Sequence, residues 1–367
     1  MSTGRYFEGE HPALQQRLEE HFQRVRQSFE NSGWKGSLVL GGGYGRGEGG
    51  VMRSPSGDAF SNDLDYFLFD ETPDDPWLAE WSHRIEREET ERLGIDVEIK
   101  RLRAASIGDP SVSMMFSDLV AGHVPVAGDA GFLTDMRPGL DFSRIAPEEA
   151  TRLLWNRGSG MFFSRCRMGE ETHKPFVIRN HAKLKLALGD AWLCLHGKYT
   201  PRCRERAEIL DSMELPDGVP ELRRWHAQGV EFKFHPFADG PSWTDLEAEA
   251  GRLTAAWAEV YLAAEAVRLR RSIPDFHGYL SMPRLLNHAP LARNLALALR
   301  DRMKRGAFLR PLGDYPRAGL MRALPCLLGL TPGGVPEAGR FLPKPAGDPA
   351  QPASWEATYA RWWACYS

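Results

Sequence analysis

The chain has 367 residues, 42% of them apolar and 26% charged, with a net charge of −3; that length suits two domains, each with its own core. Near-neutral charge and a pI near 6.4 argue against a general nucleic-acid binder, and no apolar run reaches the roughly 18–20 residues a membrane helix needs. Five cysteines (166, 194, 203, 326 and 365) without CxxC spacing, and dispersed histidines without an HExxH pair, disfavour a disulfide framework or a zinc site. With no basic-then-apolar leader at Met1–Glu8, the expected compartment is the cytoplasm.

In chain order, Leu14, Leu18, Phe22, Val25 and Phe29 recur at three-to-four spacing and predict a helix over His11–Glu30, ended by Asn31-Ser32-Gly33. Ser37–Leu40 reads as a short strand running into Gly41-Gly42-Gly43-Tyr44-Gly45-Arg46-Gly47-Glu48, a glycine-rich turn. Met52–Ser61, with Ser, Pro, Gly and Asp, reads as a loop. Leu64–Phe69 is a second strand, Trp77–Leu93 an amphipathic helix, and Ile95–Ile99 a third strand alternating apolar and acidic residues. From about Pro147 strand signals fade, and helices are predicted over Pro147–Arg165, Phe176–Leu195, Arg202–Met213, Trp243–Arg271, Pro290–Arg302 and Ala353–Cys365, with Thr331–Pro349 a linker. The expected architecture is an α/β (α+β) domain with a short mixed sheet over residues 1–142, followed by a mainly α-helical domain over 143–367.

Glycines at a strand end permit positive φ and close approach of backbone to phosphate. Gly42, Gly43, Gly45 and Gly47 suit that role, and Arg46 adds fixed charge. Asp63 and Asp65 stand one residue apart on the second strand and therefore project from the same side of the sheet. Flanked by Leu64, Tyr66, Phe67, Leu68 and Phe69, such carboxylates are costly without a cation. Asp96 and Glu98 share one face of the next strand, and either supplies a third carboxylate.

Together these elements resemble the polymerase-β-like nucleotidyltransferase superfamily. Gly42–Glu48 is similar to its G-[GS]-x-[AG]-R-G-[ET] turn, Ser61-Asn62-Asp63-Leu64-Asp65 to its S-D-h-D element with Asn62 interposed, and Ile95-Asp96-Val97 to its h-[DE]-h strand. Asp118-Leu119 to Gly128-Asp129 is similar to the short tail that closes many such domains. The resemblance spans residues 36–130. Nineteen residues separate Gly43 from Asp63, a longer interval than the family usually has, and an insertion near Met52–Phe60 accounts for it.

The resemblance implies two Mg²⁺ ions (or Mn²⁺) held by Asp63, Asp65 and a third carboxylate, for which Asp96 is preferred over Glu98 because it directly follows the first apolar residue of its strand. It also implies transfer of a nucleotide from an NTP, with ATP favoured, to a hydroxyl or similar acceptor with release of pyrophosphate. Gly42, Gly43, Tyr44 and Arg46 would line the nucleotide. Basic residues on the first helices after the catalytic domain often touch the triphosphate, a part open to Lys183 or Lys185 and equally to Asn156-Arg157 or Arg179. Asp190 reads as a helix-surface carboxylate, with orientation of an acceptor hydroxyl or amine as the alternative. A small-molecule acceptor is favoured over a protein, with nucleic acid and membrane disfavoured. Two rival readings stand beside this one: a non-catalytic nucleotide-sensing or interaction protein on the same fold, and an NAD-binding oxidoreductase, because Gly45, Gly47 and Gly50 formally satisfy GxGxxG.

Overall fold

The computed structural model describes residues 5–54, 57–283, 285, 291–305 and 317–364. In chain order the elements are α1 (Pro12–Asn31), β1 (Ser37–Leu40), α2 (Gly42–Gly45), β2 (Gly50–Ser54), β3 (Gly57–Ser61), β4 (Leu64–Phe69), α3 (Pro76–Leu93), β5 (Val97–Leu102), α4 (Met114–Ala121), β6 (Val124–Ala127) and α5 (Gly131–Asp135). There follow α6 (Pro147–Cys166), α7 (Lys174–Leu195), α8 (Cys203–Asp211), α9 (Leu222–Phe234), α10 (Trp243–Leu269), α11 (Phe276–Ser281), α12 (Leu291–Arg305), α13 (Ala318–Leu327) and α14 (Glu356–Trp363). No helix among the described residues is long and apolar enough to cross a membrane.

The chain divides into two compact units. The first holds Met1–Ala146 together with His196–Ser212 and Val230–Phe237. It therefore takes in two later segments that a boundary at residue 142 would have given to the helical domain.

The first unit is built on a four-stranded mixed sheet in the order β5-β4-β1-β6. β1 pairs antiparallel with β4 and with β6, while β4 and β5 are parallel and joined through α3. Asp75 starts α3 by accepting from the N–H groups of Trp77 and Leu78, and Pro76 opens its first turn. Gly94, at φ 75°, ends it. β4 is apolar on both faces because both are covered. Leu64, Tyr66 and Leu68 join Leu38 and Leu40 against the buried stripe of α1 and the inner face of α3. Phe67 and Phe69 join Val39, Leu119, Val120 and Leu133 on the opposite face. On the first face His21 of α1 bonds Glu89 of α3 and the hydroxyl of Tyr66, at 2.7 Å each, tying both helices to the strand.

Three expectations are corrected. Met52–Ser61 is not a loop: β2 and β3 form an antiparallel hairpin pairing Gly50 with Ser61 through Ser54 with Gly57. Its polar sequence hides the burial of Val51 and Phe60, which pair across the hairpin. The glycine-rich segment is a single helical turn rather than an open bend. The third strand starts at Val97 instead of Ile95 and runs on to Leu102.

In the second unit α6 and α7 pack on each other and on α10. The core holds Trp155, Trp257, Tyr261, Tyr279 and Tyr359, all fully buried. Glu265 is satisfied there by Thr151, Arg268 and Tyr279. The α9 and α13 helices were not foreseen from the sequence. Pro290 and Cys365, at the ends of two predicted helices, lie outside the described residues.

Candidate active site

The glycine turn is pressed onto β4. The Gly41 N–H donates to the Asp65 carbonyl at 2.8 Å, and Gly42 follows at φ 60°. A Cβ on Gly42 would come within 2.5 Å of Asp65 Oδ2, and one on Gly41 within 2.7 Å of the Phe67 ring. Only glycine allows both the positive φ and this approach, so the turn and the Asp65 carboxylate form one local structure.

The register of β4 and β5 decides which acidic residues are neighbours. Asp65 stands opposite Glu98, and Phe67 opposite Lys100. Asp63 and Asp96 precede their strands, and both are exposed. Lys100 lies over the Phe67 ring with its ammonium 5.5 Å from the centroid, 2.9 Å from Asp65 Oδ1 and 3.1 Å from Glu98 Oε2. Burial pushes the half-buried Asp65 carboxyl up, Lys100 pulls it back, and Asp63 adds to the rise. The group remains above its ordinary value: Lys100 alone does not cancel the cost of this environment.

Tyr44 and Arg46 are committed to the fold. Tyr44 is buried, and its hydroxyl donates to the Ser61 carbonyl at 2.6 Å, fastening the inserted hairpin to the turn. An apolar flank and a backbone acceptor thus engage the Tyr44 side chain, leaving its backbone as the part that can meet a nucleotide. The Arg46 guanidinium is 3.0 Å from Asp118 and 3.6 Å from Glu48. Burial works against its charge, but Asp118 and Glu48 keep it firmly protonated.

Glu48 is the hub of a network that sequence reasoning missed. It accepts from the Cys203 N–H at 2.8 Å and from the Lys233 ammonium at 2.6 Å. Burial alone would raise the Glu48 carboxyl, but Lys233 and Arg46 outweigh it and bring it down to about 2. Cys203 Sγ takes hydrogen bonds from Lys233 and Arg206. Arg206 donates to the Tyr199 hydroxyl, which donates to Asp118. The network thus runs from the turn through His196–Ser212 and Val230–Phe237, all within the first unit. No periodicity marks Tyr199, Cys203, Arg206 and Lys233; only the Gly128-Asp129 tail drew attention to the Asp118 region.

Lys183, Lys185 and Asp190 lie in the second unit. Lys185 is held 2.5 Å from Glu249, which also accepts from His181, and Lys183 is half-buried on the same helix. Asp190 is not a surface carboxylate: it is buried and bonded to His226 at 2.9 Å. Gly50 opens β2, so the GxGxxG pattern is not followed by the helix that a dinucleotide site requires.

A hard divalent cation takes oxygen donors, and Asp63, Asp65 and Glu98 supply them beside the glycine turn. The Lys100 ammonium stands against Asp65 where a cation would sit. Among the described residues no three His, Cys, Asp or Glu side chains stand assembled around one point. No protein-family model, curated protein or solved structure matches the chain.

Proposed function

We propose that this protein is a metal-dependent nucleotidyltransferase that moves the nucleoside monophosphate of an NTP, ATP favoured, to the hydroxyl of an acceptor. The observation that carries this reading is the contact between Gly42 and the Asp65 carboxylate, with Glu98 in register beside it. A glycine turn touching a carboxylate serves a ligand that must be reached by backbone and by negative side chains at once, as a metal-bound polyphosphate is.

In this reading Asp63 and Asp65 would hold Mg²⁺, whose chemistry, when bound, would be to offset the charge of the triphosphate and of the reacting oxygens. Glu98, in register with Asp65, takes the third carboxylate's part in preference to Asp96, and accepts the hydroxyl proton. The acceptor oxygen bonds to the α-phosphorus, the bond from that phosphorus to its bridging oxygen breaks, and pyrophosphate leaves. Arg46 and Glu48 act through the shape of the turn, since both are tied into the network beneath it. A small hydroxylated acceptor fits the net charge of −3 better than a polyanion does.

The test is pyrophosphate release from the four NTPs in the presence of a metabolite pool. The Asp63→Ala, Asp65→Ala double variant should lose it while keeping the wild-type circular dichroism spectrum; full activity in that variant would refute the assignment. A second reading, nucleotide sensing without chemistry, draws on the Lys100–Asp65 ion pair, which neutralises the carboxylate without a metal. Binding of Mg-ATP with no pyrophosphate release across the same pool would favour it.

A further inference from the structure

We propose that Lys100 is the resident counter-cation of the carboxylate site and competes with the divalent metal for it. Three observations place it there. The parallel register of β4 and β5 sets Glu98 beside Asp65 and Lys100 beside Phe67, so the lysine stem crosses the Phe67 face and its ammonium is delivered to the carboxylates. That ammonium lies 2.9 Å from Asp65 and 3.1 Å from Glu98, bridging the two residues that would share a metal. Finally, the Lys100 side chain is 35% exposed, against 23% for Asp65 and 57% for Glu98, so Lys100 and Glu98 can both withdraw toward water more easily than Asp65.

Two carboxylates brought to adjacent strand positions repel each other, and a protein folding without metal needs a positive charge between them. Lys100 supplies it. The same charge opposes an incoming divalent ion, which must displace the ammonium from Asp65 and Glu98 before their oxygens become ligands. The ammonium thus offsets part of the site's negative charge without metal, and occupancy by metal becomes conditional on moving one side chain. This rests on the nucleotidyltransferase reading only in taking Asp65 as a metal ligand.

The experiment is direct titration of the purified full chain with Mn²⁺, free ion being read by electron paramagnetic resonance with no nucleotide present. Lys100→Met keeps the stem over Phe67 and removes the charge. It should bind Mn²⁺ at least about tenfold more tightly than wild type, a tenfold change corresponding to about 1.4 kcal/mol. Lys100→Arg should stay near wild type, and Asp65→Asn should remove the site from both backgrounds. Asp65-dependent binding that is unchanged or weaker in Lys100→Met overturns the competition and leaves the metal site standing. Binding indifferent to Asp65→Asn in every background removes the metal site itself, and this inference with it. Lys100→Gln repeats the comparison should the methionine variant not fold.

Discussion

Glu48 gives the sharpest test of how the glycine turn is held. In Glu48→Gln the amide oxygen still accepts the Cys203 N–H, but an N–H₂ group then meets the Lys233 ammonium, and Arg46 loses one of its two counter-charges. The carboxyl falls from its ordinary 4.5 to about 2 in the fold, and at 1.36 kcal/mol per unit that displacement corresponds to about 3 kcal/mol of stability at pH 7. Breaking a buried ion pair by removing one partner costs about 3–5 kcal/mol, in agreement. The sign follows from the depressed value: the contribution is complete above the unfolded carboxyl's 4.5 and fades as pH drops toward about 2. The gap between wild type and variant should therefore be about 3 kcal/mol at pH 7 and about half that at pH 3. Urea unfolding at both pH values measures it. Amide hydrogen exchange over Leu38–Glu48 localises it, since the turn should open more often in the variant. A loss below about 1 kcal/mol at pH 7, or a gap that does not narrow with acid, would refute the view of Glu48 as the hub.

Two further substitutions probe the site directly. Gly42→Ala forces a side chain to φ 60° and toward Asp65 Oδ2; it should cost about 1–2 kcal/mol in thermal unfolding and, by displacing the carboxylate, slow transfer by about a hundredfold. Wild-type stability and rate in that variant would mean the turn does not need its glycine. Glu98→Gln should lower kcat by about 10²–10⁴-fold, whereas Asp96→Asn should change it by less than about tenfold. The opposite order would return the third-carboxylate role to Asp96.

Local pattern carried much of the fold. The apolar stripe of α1 and the apolar run Tyr66–Phe69 of β4 were both readable, because the apolar pattern reports burial directly. The limits of β4 were read at Leu64 and Phe69, where they lie. The hairpin Gly50–Ser61 escaped because only Val51 and Phe60 among its central residues are buried, and its Ser, Gly and Asp content is that of a loop. At the site, the glycines and the four carboxylates could be named in sequence, but their pairing could not. Whether Asp96 or Glu98 faces Asp65 is a matter of register, and one residue's slip moves every side chain across the sheet. Lys100 lay three residues beyond the Ile95-Asp96-Val97 motif, and its position over Phe67 follows from that same register. The Glu48 network was illegible for a different reason: Cys203 and Lys233 are 155 and 185 residues away along the chain, joined to the turn by tertiary packing alone.

The central claim is that the Asp65 site transfers nucleotide rather than phosphate or nothing at all. Incubating the protein with Mg²⁺ and ATP labelled at either the α- or the γ-phosphorus, in a metabolite pool, and following the label, decides it most directly. The account predicts α-label on an acceptor, γ-label in pyrophosphate, and neither in the Asp63→Ala, Asp65→Ala variant. Transfer of γ-label to the acceptor, or α-label transfer that survives the double substitution, would contradict it.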